Sequence, residues 1–169
     1  PWKGSCFGIA ASNALAFSSK AEFQRAFPEF PAFASPATVS SDSGVRLVIN
    51  GLYSHQFGHP SRQLISQLGA SITPNETLHE LKAMLREDDV SSRTLSFFNN
   101  NGKGGHCVLP YKLQQHLTQK QIYFVFVDDN ANPGKLVLIQ IDTLANSANG
   151  VWTPLLGYAN WGGPALVFL

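Results

Sequence analysis

A chain of 169 residues, 44% of them hydrophobic, is long enough to bury a core without disulfide staples, which argues against both disorder and a stapled miniprotein. Twelve basic side chains nearly cancel eleven acidic ones and no apolar run reaches membrane-spanning length, so neither a nucleic acid nor a membrane span is expected. The two cysteines, Cys6 and Cys107, are too few for a disulfide framework, although one bridge between them is formally open, and a charged fraction of only 14% leans towards an extracellular or cell-surface setting.

In chain order, Gly4-Ser5-Cys6-Phe7-Gly8 runs into Ile9, Ala10, Ala11, Ala14 and Leu15, which predicts a buried helix that starts at the cysteine and ends near Phe17 or Ser18. The stretch from Lys20 to Ser41 is broken by Pro28, Pro31 and Pro36 and carries Phe23, Phe27, Phe30 and Phe33, so it reads as an irregular cover over the core with at most one short helix. Ser43-Gly44 opens a second helical pattern, with Val45, Leu47, Val48, Leu52 and Tyr53 expected on one side, ending around Gly58. A short helix is expected from Ser61 to Leu68, closed by Gly69. Thr73-Pro74-Asn75-Glu76 is a capping box, so a further helix should run to about Arg86 with Leu78, Leu81, Met84 and Leu85 inward. Asn75-Glu76-Thr77 also matches a glycosylation sequon, a pattern common by chance.

From Arg93 the period changes from helical to alternating. Thr94 to Phe98, His106 to Gln114, Gln121 to Asp128 and Lys135 to Asp142 read as four antiparallel strands, with two short ones around Val151 to Leu155 and Ala165 to Phe168. Helices first and strands second is an α+β order, here within one domain spanning residues 1–169.

Three stretches carry chemistry. The unpaired N–H groups and dipole at a helix start favour a thiolate, which marks Cys6 as a candidate nucleophile. Gly104-Gly105 allows a close approach just before His106, which begins a strand and is placed to act as a base. The strand ending in Asp128-Asp129-Asn130 can supply a group that holds the imidazole in one tautomer. Alternation sends the Asp128 and Asp129 carboxylates to opposite faces, so only one can meet His106, and Asn130 is a third candidate if the strand ends later.

Gly4-Ser5-Cys6-Phe7, Gly105-His106 and Asp128-Asp129-Asn130, in that order, resemble the papain-like cysteine peptidase superfamily. The Gly-His-x-Val-x-Pro-Tyr run from Gly105 to Tyr111 and the Asp-Asn-x-x-Pro-Gly run from Asp129 to Gly134 look similar to its divergent microbial members. The resemblance implies a papain-like α+β fold, with the nucleophile helix in an N-terminal helical half and an antiparallel sheet in the C-terminal half. It implies a cysteine hydrolase acting on peptide or protein substrates without a cofactor or metal, with Cys6 as nucleophile, His106 as general base and acid, and Asp129 orienting it. The family's side-chain oxyanion donor, a glutamine six positions before the nucleophile, would fall before Pro1; the Cys6 N–H is one donor, and the second would lie upstream in a longer protein, come from Trp2 or Ser5, or be missing. Asn160-Trp161-Gly162 looks like the family's Asn-x-Trp-Gly segment with one residue dropped, which makes Trp161 a candidate cleft wall.

Plainer readings stand beside these. A cysteine in an apolar helix is commonly a small buried hydrophobe, and alternation turns Cys107 away from His106 into the core. A zinc site from Cys6, His106, Cys107 and an aspartate lacks a close ligand pair; His55 and His59 are read as surface groups, and His79 and His116 are placed on polar faces. As a whole the chain could also be a catalytically silent papain-like module that binds a partner, or an acyltransferase using the same thioester.

Overall fold

The computed structural model describes residues 5–28, 44–58, 63, 72–86, 93–98, 105–147, 149–154, 158 and 167–168. Helices come first, as α1 (Cys6–Ser18), α2 (Lys20–Ala26), α3 (Gly44–His55) and α4 (Pro74–Arg86). Strands follow, as β1 (Leu95–Phe98), β2 (Gly105–Gln115), β3 (Ile122–Asp128), β4 (Val137–Asp142), β5 (Val151–Pro154) and β6 (Val167–Phe168). The chain is therefore α+β, and among the described residues no helix is long and apolar enough to cross a membrane. The helix expected over Ser61 to Leu68 lies outside the described residues, apart from Gln63, as does the stretch from Glu29 to Ser43 with Phe30 and Phe33.

The small and apolar residues of α1 surround it on all sides, and Gly8, Ile9, Ala10, Ser12 and Ala14 are buried. Such a helix belongs between two layers, and α1 lies against α3 and against β2. Gly8 marks the closest approach, because a Cβ there would collide with the Ile49 carbonyl oxygen and press on the Tyr53 Cβ at 3.0 Å. Ile9 shares a core with Phe23 of α2 and with Val45 and Ile49 of α3.

One expectation for α3 is corrected. Leu47 is 76% exposed, and Ile49 takes the inward position. At about 100° per residue, Val45 and Ile49 share a stripe while Leu47 sits roughly opposite Val45, so the helical period outweighs side-chain hydrophobicity.

At the start of α4, Thr73 Oγ1 accepts from the Glu76 N–H at 3.2 Å, and Glu76 Oε2 accepts from the Thr73 N–H at 2.7 Å. This is the reciprocal capping box, with Pro74 at the first helical position where no N–H is required. Leu78 and Leu81 are buried against the sheet and Met84 packs beside them. The same turn faces inward, with Thr77 fully buried and the Asn75 amide donating to the Thr143 carbonyl at 2.9 Å, so the sequon is not presented outward.

The sheet order is β5-β4-β3-β2-β1-β6, and neighbouring strands pair antiparallel. On β4 the alternation is regular: Val137, Ile139 and Ile141 point inward. They join Val125 and Val127 of β3, Val108 of β2, Leu95 and Phe97 of β1, Trp152 of β5 and the α4 leucines in the main core. Strand β2 has a split role, pairing with β1 over Gly105 to Val108 and with β3 from Leu109 onward. Between Pro110 and Lys112 the β2–β3 register shifts, at a proline that cannot donate to the ladder.

Candidate active site

Three element ends converge. Cys6 is the first residue of α1, His106 the second of β2, and Asp129 follows the last residue of β3. The β2–β3 ladder ends at the Leu109–Asp128 pair, so the next residue of β3's chain lies alongside the start of β2 without being held in the ladder. From there the Asp129 carboxylate reaches His106, with Oδ1 2.7 Å from Nε2. Because an ionised carboxylate only accepts, Nε2 carries the proton of that bond, which leaves Nδ1 as the nitrogen available to the Cys6 thiol.

Asp129 is fully buried, and its two oxygens accept four hydrogen bonds. Oδ1 also takes the Ala131 N–H at 2.9 Å, while Oδ2 takes the Asn132 amide at 2.8 Å and the Tyr158 hydroxyl at 2.7 Å. Asn132 is held by the tight turn after β3, in which its N–H donates to the Asp129 carbonyl and Gly134 adopts φ +72°. The carboxylate therefore has no freedom to turn from the imidazole.

The other two strand-end candidates face elsewhere. Asp128 is exposed and accepts from the Asn13 amide at 2.8 Å, tying β3 to the second turn of α1. Asn130 donates its amide to the carbonyls of Cys6 at 3.3 Å and Cys107 at 3.0 Å rather than to the imidazole.

Electrostatics follow from this placement. Burial alone would disfavour a charged Cys6, but the hydrogen bond and charge of His106, with backbone N–H groups of Cys107 and Phe7, bring its pKa below the ordinary thiol value. Burial likewise works against a charged His106, yet Asp129 and Cys6 together raise it to about 9. Against its own burial, Asp129 is lowered to about 2 by the donors around it, His106 foremost. Cys107 is the contrast: it is buried, its thiol is pushed up to about 11 by desolvation, and its partners are Ser96 and Thr94. One cysteine is set up to ionise and the other to stay a thiol.

An aromatic wall supports the histidine. The Tyr158 ring stacks on the imidazole with centroids 5.4 Å apart at 29°, and Phe97, the cross-strand partner of His106, meets it edge-on at 5.5 Å. Phe97 also contacts Tyr158 and Trp152, so the wall is continuous with the main core. Only 10% of the His106 side chain is exposed. Tyr158, Asn132 and Asn13 were not singled out by sequence; Asn13 alone had a usable signal, lying two helical turns after Cys6 on the same face.

The Cys6 N–H, first in its helix, has no intrahelical acceptor and is a potential oxyanion donor. Ser5 is buried at the N-cap without a side-chain capping bond, whereas Trp2 and Trp161 lie outside the described residues. Among the described residues no three His, Cys, Asp or Glu side chains gather in a way that could hold a metal ion. No protein-family model matches the chain, and neither a curated protein nor a solved structure matches it.

Proposed function

We propose that this chain is a cysteine-dependent hydrolase of peptide or amide bonds, a papain-like enzyme in which Cys6 is the nucleophile, His106 the acid and base, and Asp129 the group that orients the imidazole. The observation that carries the reading is the imidazole of His106 held between two groups with different tasks. A fully hydrogen-bonded carboxylate lies 2.7 Å from Nε2, and the thiol of the helix-starting Cys6 is hydrogen-bonded to the same imidazole.

The chemistry follows from the charges. The lowering of Cys6 and the raising of His106 to about 9 both favour a thiolate–imidazolium pair over a neutral thiol and imidazole. The thiolate adds to the substrate carbonyl carbon, and the developing oxyanion lies near the start of α1, where the Cys6 N–H and the helix dipole favour negative charge. Collapse of this adduct breaks the C–N bond as His106 passes its proton to the departing amine, leaving an acyl thioester on Cys6. His106, now neutral, takes a proton from water as the water attacks the thioester, and the thiolate is expelled with the pair restored. The buried Asp129 stabilises the imidazolium in both half-reactions without itself taking a proton.

The test is to trap the acyl-enzyme. Incubation with an activated peptide ester, quenching in acid and mass spectrometry should show one acyl adduct on the peptide containing Cys6, absent from Cys6→Ala. Failure of a panel of peptide esters and amides to leave any adduct on a correctly folded protein would remove the proposal.

A further inference from the structure

Asn130 stands next to Asp129 but does something different. Its Nδ2 donates to the Cys6 carbonyl at 3.3 Å and to the Cys107 carbonyl at 3.0 Å. Both partners are acceptors, so the side chain can be oriented only with its nitrogen towards them, and each of the two amide hydrogens has its own carbonyl. One carbonyl belongs to the nucleophile's own residue at the head of α1, and the other to the residue that follows the base on β2. A single planar group thus bridges the backbones that carry Cys6 and His106. Asn130 is half-buried, and its own backbone is fixed by the turn that also fills the coordination of Asp129.

We propose that Asn130 is a positioning residue that sets the separation between the nucleophile and its base by clamping the Cys6 and Cys107 carbonyls with one amide. This rests on the reading of Cys6 and His106 as nucleophile and base. Among the described residues the other ties are of different kinds: the Cys6 thiol meets the Cys107 N–H, Asp129 holds the histidine side chain, and the Asn13–Asp128 pair ties α1 to the end of β3 two turns from Cys6. Loss of the clamp would let the head of α1 drift relative to β2, and a misplacement of about 1 Å can cost on the order of 10²-fold in rate.

The experiment compares wild type, Asn130→Ala, Asn130→Ser and the control Asn13→Ala, which breaks a hydrogen bond on the same helix but none at Cys6. Folding is checked by circular dichroism and thermal melting, and the pH profile of Cys6 alkylation by iodoacetamide is followed by mass spectrometry alongside turnover of a peptide ester. Asn130→Ala should shift the alkylation midpoint up by about one pH unit towards an ordinary thiol and lower kcat about 10- to 100-fold with KM within twofold. Asn130→Ser, able to reach only one carbonyl, should fall between, and Asn13→Ala should leave the midpoint in place. A folded Asn130→Ala with unchanged midpoint and kcat overturns the proposal, as does Asn13→Ala matching its effect. Should the Asn130 variants not fold, the wild-type side-chain amide decides: both Nδ2 protons should exchange more slowly than exposed asparagine amides by NMR, and fast exchange of either overturns the clamp. Wild-type Cys6 alkylating like a free thiol would instead defeat the hydrolase reading, an outcome distinct from all of these.

Discussion

At the scale of single residues, Asp129 governs the charge state of the site. Its pairing with His106 has a definite pH window. His106 is raised from 6.5 to about 9, so its contribution to stability is complete below about 6.5 and is lost as pH rises through about 9. Asp129 is lowered from 3.8 to about 2, so its contribution is present above about 3.8 and is lost as pH falls through about 2. In the proposed hydrolase the imidazolium is the acid, so kcat/KM should fall on the alkaline side near pH 9. Asp129→Asn should bring that limb down towards the ordinary imidazole value and lower kcat on the order of 10²-fold, read from a pH-rate profile. Tyr158→Phe keeps the ring stack but removes one donor from a buried carboxylate, which should cost about 1–2 kcal/mol in urea unfolding at neutral pH. That only one of Asp128 and Asp129 could meet the imidazole was legible from strand alternation; the choice of Asp129 rested on the resemblance of the Asp-Asn-x-x-Pro-Gly run, not on any local pattern. Tyr158 was not, because its role depends on a long-range approach to β1 and to the turn after β3 that no local pattern encodes.

At the scale of elements, the head of α1 is held by close packing on α3 and by the Asn130 amide at the end of β3. Gly8 lets α1 settle onto α3, and Gly8→Ala would force a methyl group into the Ile49 carbonyl oxygen. The expected cost is about 1–3 kcal/mol in chemical denaturation, with Cys6 alkylation slowed at neutral pH because the helix that carries the thiol must shift. Thr73→Ala removes one half of the α4 capping box and should cost about 1 kcal/mol in chemical denaturation while leaving Cys6 reactivity unchanged, since the Thr73 side chain is bonded to Glu76 within its own turn. Caps and periods were the readable parts: Thr73 to Glu76, the start of α1 at Cys6 and the alternation of β4 are local statements about neighbouring residues. Leu47 shows where local reading ends, because a leucine among valines looks buried until the helix phase is fixed by what Ile49 meets on α1.

At the scale of the whole molecule, a helical half brings Cys6 and a sheet half brings His106 and Asp129. The order of the halves could be read from the change of period at Arg93. The meeting point could not, since it depends on where the β2–β3 ladder stops and on side chains such as Asn130 that cross between layers. The sheet core stands directly behind the histidine through Phe97 and Trp152. Trp152→Ala should therefore cost about 3–5 kcal/mol in denaturant unfolding and also loosen the wall beneath His106.

The most direct measurement is the rate of iodoacetamide alkylation across about pH 4 to 10, with mass spectrometry separating Cys6 from Cys107, in wild type and in His106→Ala. The account predicts that Cys6 is modified with a midpoint below the ordinary thiol value of about 8.5, that His106→Ala moves this midpoint up, and that Cys107 stays unmodified in the folded protein. A Cys6 that titrates as an ordinary thiol in wild type, with no change in His106→Ala, would contradict it.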